Sequence, residues 1–538
     1  MKKILLGNDA IIQGALASGV NFVSGYPGCP AAEIGDNFAK IAQDYGVYVE
    51  WATNEKTGLE SAVGASFSGQ RALVSMKSFG INVCSDILLP LVYTGTKGAM
   101  VIVVADDPSC WSSAQTEQDS RGYSYLSHIP TLEPSDPQEC YDFTKLGFEI
   151  SEKFNVPVLL RTTTRVNHQK MPVVFEETKK GGQFTKKDFV KNHHQFSTMP
   201  PRVMEMKKEL LDKIEKIKQF ADKSKINFAK GKPSKIGIVA SGVSYLHASE
   251  AVEALGLDLP VFKLGFFYPL PEQKIKSFIK NLKKVLVVEE VEGHLEKDLK
   301  VLAKDANCKL EVFGKNLLPK MGELNAEKIA VALAKITKKK FIEFKFKPLD
   351  LPKRTARLCE GCPYWFVFPT LKRVAPDAVF AGDIGCNMIA GLPPHNIQDT
   401  LFCMGASIGI GHGISKSANQ KVVAIMGDGT FFHAGMPALT NAVYNKSNPL
   451  VIILDNRITA MTGHQPNPGM GKTLMNEDTV ELSIEEIVKA LGVKNVKVLD
   501  QINIKELEET AKDFLQKSDV SVIVCKRICA LLERRQKN

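Results

Sequence analysis

Short runs of β-branched and apolar residues alternate with helix-length stretches along most of this 538-residue chain, and that alternation restricts the fold more than any other feature. Asn21–Tyr26, Val47–Trp51, Ala72–Met76, Ala99–Ala105 and Val156–Arg161 read as strands, with helices over Glu33–Tyr45 and Glu55–Gly69. The pattern restarts with a strand at Lys235–Ala240, a helix through Ala248–Leu255 and strands at Pro260–Leu264 and Val285–Val288. It restarts again with strands at Val422–Met426, Leu450–Leu454 and Val520–Val524. Alternation at this pitch predicts parallel, doubly wound sheets, and a chain this long exceeds one hydrophobic core. The expectation is an α/β protein with a domain at 1–178, a basic, partly helical linker at 179–232 (helical over Val203–Phe220), a smaller α/β domain at 233–345 and a third domain at 350–538. Two full-size domains flanking a smaller one suit a ligand bound between the outer pair.

Charge and cysteine usage narrow the function. The formal charge is +10, and basic residues cluster in Lys179–Lys232 and Lys338–Lys347 without an interleaved aromatic platform. That composition reads as solvated helix faces and linkers, or as attraction to an acidic protein partner, rather than as a nucleic-acid surface. The apolar run near Met1 is too short for a signal-peptide core and meets Asp9 at once. No stretch reaches the roughly 20 apolar residues of a membrane span, so the expectation is a cytoplasmic protein without a membrane partner. The 11 cysteines are irregularly spaced. They argue against a disulfide framework and leave metal, redox or core roles.

The strand Val422–Met426 runs directly into Gly427-Asp428-Gly429, and the strand Leu450–Leu454 ends in Asp455-Asn456. In a parallel sheet, a carboxylate and an amide at adjacent strand ends come together where ligands bind. Glycines on both sides of Asp428 let a diphosphate approach the backbone, and one carboxylate plus amide and backbone oxygens suit Mg²⁺. Gly-Asp-Gly alone would equally fit an Asp in a strand–turn. Glu55 opens a helix of Gly, Ala and Ser after the strand ending at Trp51, where it could act as an acid–base group or simply be stabilised by the helix dipole. Glu60, one turn on, competes with it. Cys359-Glu360-Gly361-Cys362, Cys386 and Cys529 lie in glycine-flanked loops or after the last strand, and Cys525 could replace Cys529. Four thiolates would accept zinc or a [4Fe–4S] cluster.

Gly427-Asp428-Gly429 followed by Asn456 resembles the motif of thiamine-diphosphate enzymes. The resemblance implies Asp428, Asn456 and the carbonyl of Ile458 as Mg²⁺ ligands, and Glu55 as the carboxylate bonded to the aminopyrimidine ring. With the cysteines, the resemblance sharpens to 2-oxoacid:ferredoxin oxidoreductases of the indolepyruvate type, large subunit. It then implies a [4Fe–4S] cluster on Cys359, Cys362, Cys386 and Cys529. Gly25-Tyr26-Pro27-Gly28-Cys29-Pro30 is similar to the family's Tyr-Pro-x-Thr-Pro turn, which contacts the 2-oxoacid. Cys29 stands where Thr is usual, and a thiol donates a weaker hydrogen bond than a hydroxyl. Arg121 falls where the family places an Arg near the substrate carboxylate; a salt bridge to Asp119 or Glu117 is its other reading. The likeness extends through Val103–Arg121 and Leu159–His168, and runs from about Leu6 to about Leu532, weakest across 179–232. The family subunit continues into a ferredoxin-like domain whose cysteine run is not found before Asn538. The expected electron acceptor is therefore a separate ferredoxin-like subunit or soluble ferredoxin.

The function so implied is oxidative decarboxylation of an aryl 2-oxoacid to acyl-CoA, in a hetero-oligomer with a smaller β subunit and with CoA as co-substrate. Two other readings remain open on the sequence: a non-oxidative thiamine-dependent decarboxylase or lyase, which would hold no iron, and a non-catalytic assembly subunit.

Overall fold

In a computed structural model the structure describes residues 1–341, 349–352 and 354–537. The end of the expected 233–345 domain, part of the basic stretch Lys338–Lys347, and Lys353 and Asn538 of the third domain lie outside the described residues. The chain forms two compact units, 1–347 and 348–538.

The first unit holds two principal sheets. The larger has seven strands in the order Phe266–Tyr268, Thr131–Leu132, Val158–Thr163, Met100–Asp106, Ala72–Lys77, Phe22–Gly25 and Tyr48–Val49. All neighbours are parallel except Phe266–Tyr268 against Thr131–Leu132. Every residue of Met100–Asp106 is buried, as a central parallel strand covered on both faces must be. The second sheet orders Glu311–Phe313, Lys284–Val288, Ile236–Ser241, Val261–Leu264 and Phe228–Lys230, the last antiparallel. The short strand Phe266–Tyr268 leaves this second region to pair with the first sheet, a crossover too brief to register in hydrophobic periodicity. Within the expected linker, Arg202–Lys223 is a single helix that buries Met206, Leu210, Ile214, Ile217 and Ala221 at helical spacing, so this stretch packs rather than merely spans.

The second unit is built on five parallel strands in the order Val379–Ala381, Val422–Gly427, Leu450–Asp455, Ser521–Lys526 and Asn495–Asp500. Two apolar clusters, one on each face, include Val423, Ile425, Ile452 and Leu454, and Ala424, Met426, Val451 and Ile453 respectively. Alternate residues of the same strands thus supply opposite faces. Among the described residues no helix is long and apolar enough to cross a membrane.

Candidate active site

In the second unit, Gly427 pairs with Leu454 in register, so Asp428 and Asn456 emerge from neighbouring strands at the carboxyl edge of the sheet. The Asp428 carboxylate is buried and accepts hydrogen bonds from Asn467 Nδ2 at 3.0 Å and from the Gly429 N–H at 2.8 Å. Burial and, after it, the nearby Asp455 carboxylate push the Asp428 carboxyl up to about 7. Two acidic groups withdrawn from water side by side make an electronegative corner that a divalent cation would relieve. Asn456 donates from Nδ2 to the Tyr364 hydroxyl at 3.1 Å and accepts from the Ile458 N–H at 3.1 Å. A Cβ built on Gly427 would meet only Asn387 Oδ1 at 3.9 Å, so the backbone beside Asp428 is open to a bulky anion. The donor set and this open cradle fit Mg²⁺ and a diphosphate.

Tyr364 and Asn467 were not singled out from the sequence. Tyr364 lies next to Pro363, in the C-x-x-C neighbourhood, and Asn467 lies in a Pro-Asn-Pro turn, a loop signal with no mark of its target. Asp383 was also missed as an organiser. It is fully buried, accepts from the N–H groups of Ile384, Gly405 and Ser407, and is pushed by burial up to about 6. It thereby shapes the Ile384-Gly385-Cys386 turn.

The four nominated cysteines gather in this unit. Burial pushes Cys386 up to about 12, and the thiols of Cys362, Cys529 and Cys359 add to that rise. Cys362 is pushed up to about 11 by burial, with Cys359 and Cys529 adding. Clustered thiols that raise one another's pKa are thiols a cation would convert to thiolates. Among the described residues, however, no three His, Cys, Asp or Glu side chains stand close enough to hold one metal ion. Cys525, the alternative to Cys529, points into the apolar core and its rise comes from burial alone. Cys529 lies 3.8 Å from His464 Nε2, and its N–H donates to the Asn456 carbonyl at 3.0 Å.

In the first unit, Glu55 is the first residue of the helix Glu55–Phe67, with Asn54 as N-cap accepting from the Thr57 N–H at 2.9 Å. Its side chain is buried, and a Cβ on Gly80 would lie 2.7 Å from Glu55 Cγ, so Gly80 makes the space that Glu55 fills. Glu60, its competitor, is an exposed partner of Lys56. Cys29 lies half-buried in the turn after Phe22–Gly25, raised by burial and opposed by Lys77.

Arg121 departs from expectation. It is 1% exposed, and its guanidinium donates to both oxygens of Glu133 at 2.6 and 2.9 Å, to Ser241 Oγ at 3.1 Å and to the Glu290 carbonyl at 3.2 Å. Despite burial, Arg121 and Arg161 hold the Glu133 carboxyl down to about 2. Asp119, one of the two partners foreseen, lies 3.5 Å away, whereas Glu117 instead accepts from the Ser109 and Gly322 N–H groups. Sequence proximity could not reveal Glu133, Ser241 or Glu290. With its donors spent on protein groups, Arg121 ties the two sheets of the first unit together, and no surface for a substrate carboxylate remains on it.

Comparison with known proteins agrees with the two thiamine-type halves. Residues 13–228 match the family described as "Pyruvate flavodoxin/ferredoxin oxidoreductase, thiamine diP-bdg". Residues 227–347 match "Indolepyruvate oxidoreductase domain", and residues 383–525 match "Thiamine pyrophosphate enzyme, C-terminal TPP binding domain". The indolepyruvate oxidoreductase subunit IorA of Methanothermobacter thermautotrophicus is 42% identical over 98% of this chain and 87% of its own length. The chain belongs to the indolepyruvate oxidoreductase IorA family. Another IorA relative, from Pyrococcus abyssi, is 42% identical over 98% of this chain and 86% of its own. The α/β fold of the family recurs in the 2-oxoglutarate:ferredoxin oxidoreductase of Magnetococcus marinus, at a TM-score of 0.52 and 18% identity over 62% of this chain and 65% of that one. As an IorA-family chain it is an oxidoreductase with thiamine-diphosphate-binding domains.

Proposed function

We propose that this chain is the thiamine-diphosphate subunit of a 2-oxoacid:ferredoxin oxidoreductase. Its substrate is an aryl 2-oxoacid of the indolepyruvate kind, its product an acyl-CoA, and its electrons pass through an iron–sulfur cluster to ferredoxin or a ferredoxin-like subunit. A smaller partner subunit completes the enzyme. The observation that carries the reading is the convergence in one unit of the Asp428–Asn456 corner and the four thiols, joined by Tyr364 and by the Cys529–Asn456 hydrogen bond.

When bound, thiamine diphosphate supplies a nucleophilic carbon and an electron sink, Mg²⁺ neutralises its diphosphate, and a [4Fe–4S] cluster takes up single electrons. Asp428, the Asn456 amide oxygen and the Ile458 carbonyl are the proposed Mg²⁺ ligands, with Gly427 and Gly429 flanking the diphosphate. Cys359, Cys362, Cys386 and Cys529 are the proposed cluster ligands. Glu55 takes the hydrogen bond of the aminopyrimidine ring. Cys29 faces the 2-oxoacid.

The test is an anaerobic assay of the chain with its partner subunit. Indolepyruvate- and CoA-dependent reduction of ferredoxin, requiring thiamine diphosphate and Mg²⁺, is expected. Aldehyde formation without ferredoxin reduction would replace this reading with the non-oxidative decarboxylase.

A further inference from the structure

We infer that Lys77, and not Arg121, binds the carboxylate of the 2-oxoacid. The inference rests on the function just proposed and deepens it.

Lys77 ends the strand Ala72–Lys77, at the carboxyl edge where parallel sheets bind ligands. The Gly28-Cys29 turn lies directly on it: a Cβ on Gly28 would sit 2.8 Å from Lys77 Cβ, so only glycine permits this approach. The same hydroxyl bridges both, since Ser112 Oγ donates to the Cys29 carbonyl at 3.3 Å and accepts from Lys77 Nζ at 3.3 Å. Lys77 Nζ also donates to the Ser112 carbonyl at 2.8 Å and lies 5.3 Å from the Phe79 ring centroid.

Among the described residues the ammonium has one carboxylate counter-ion, Asp107, and makes no hydrogen bond to it. Asp107 Oδ2 is 3.9 Å away, beyond hydrogen-bond reach. That oxygen is already occupied by the Ser112 N–H at 2.8 Å and Ser113 Oγ at 2.6 Å, while Thr164 Oγ1 holds Oδ1 at 2.6 Å. The Lys77 side chain is only 11% exposed, so water satisfies little of the ammonium beside this distant counter-ion. A cation withdrawn from solvent, whose counter-ion Asp107 makes no hydrogen bond to it, is stabilised further by an incoming carboxylate. An ammonium carries three donors, and Ser112 engages two. Arg121, by contrast, has its own carboxylates. The turn that carries Cys29 and the cation that meets the carboxylate are therefore neighbours on one sheet edge.

The experiment compares Lys77→Met, Lys77→Arg and unaltered chain, each assembled with its partner subunit and cofactors. The readouts are KM and kcat for indolepyruvate, and inhibition constants for indole-3-acetate and for indole-3-acetaldehyde, which lacks the carboxylate. Lys77→Met is expected to raise KM and the indole-3-acetate constant by at least about tenfold, the scale of a lost charge-assisted hydrogen bond. The aldehyde constant and thiamine diphosphate content stay unchanged, and Lys77→Arg restores part of the loss. Equal weakening of acid and aldehyde, or no change in KM, would overturn the assignment while leaving the proposed function intact. An unaltered complex that turns over no 2-oxoacid would overturn both.

Discussion

The backbone N–H of Cys529 donates to the carbonyl of Asn456 at 3.0 Å. This bond ties the loop after the last strand, Ser521–Lys526, to the end of the strand Leu450–Asp455. A second bond, from the Arg527 N–H to the Asp455 carbonyl at 2.9 Å, reinforces it. Tyr364, next to Pro363 after Cys362, joins the arrangement by accepting from the Asn456 amide at 3.1 Å. The loop that carries Cys529 and the strand end that carries Asn456 are thus held by the same few backbone segments.

Tyr364→Phe tests that coupling. The ring stays in the core, where Tyr364 is 2% exposed, but the acceptor for Asn456 Nδ2 is lost. With Asn456 as a proposed Mg²⁺ ligand, a group that orients it is expected to contribute about tenfold to a hundredfold in affinity. Mg²⁺-dependent thiamine diphosphate binding, followed by calorimetry, is expected to weaken by about that factor while the chain remains folded.

Glu55→Gln preserves the shape beside Gly80 and removes the ionisable group. Loss of a positioned acid–base group lowers turnover by about a hundredfold to ten-thousandfold. Steady-state kinetics should show this loss in kcat, with thiamine diphosphate still bound; Glu60→Gln, which breaks only an exposed pair with Lys56, should leave kcat unchanged.

Arg121→Ala leaves Glu133 buried without its principal partner. Breaking a buried pair from one side costs about 3–5 kcal/mol. Urea unfolding is expected to register a loss of that order. A substrate-binding role for Arg121 would instead raise KM at unchanged stability.

Glu290 sets a pH dependence of the opposite sign to that of a paired carboxylate. Burial pushes its carboxyl up to about 7, opposed by the Leu324 N–H that donates to it and by Arg161 and Arg121, while Glu323 adds to the rise. The folded chain keeps this proton where the unfolded chain, with a carboxyl near about 4.3, has released it. The contribution is full below that value and is lost as pH rises through 7. Glu290→Gln should flatten the fall in unfolding free energy between these limits, by at most about 4 kcal/mol.

Much of this architecture was legible because strands in doubly wound sheets announce themselves. Val422–Met426 and Leu450–Leu454 are continuous apolar runs that end in the residues of interest, and the structure places them as neighbours in register. Glu55 was readable as a helix-opening acid. Tyr364, Asn467 and Asp383 were not, because each acts through a partner distant in sequence. Arg121 misled for the same reason: a buried arginine and a substrate-binding arginine look alike until Glu133 and Ser241 are seen on it. Lys77 lies one residue past the strand read from periodicity, and its distant pairing with Asp107 at 3.9 Å is a property of three dimensions alone.

The most direct test of the account is iron and acid-labile sulfide analysis with reduced-state EPR, on protein prepared without oxygen, for the unaltered chain and for Cys386→Ala. A [4Fe–4S] cluster takes four cysteine thiolates, the set proposed here. About four irons per chain and a cubane signal, both lost in Cys386→Ala, are predicted. Anaerobic protein with no iron, or with a signal that survives Cys386→Ala unchanged, would contradict the assignment of Cys359, Cys362, Cys386 and Cys529 as the route by which electrons leave the thiamine site.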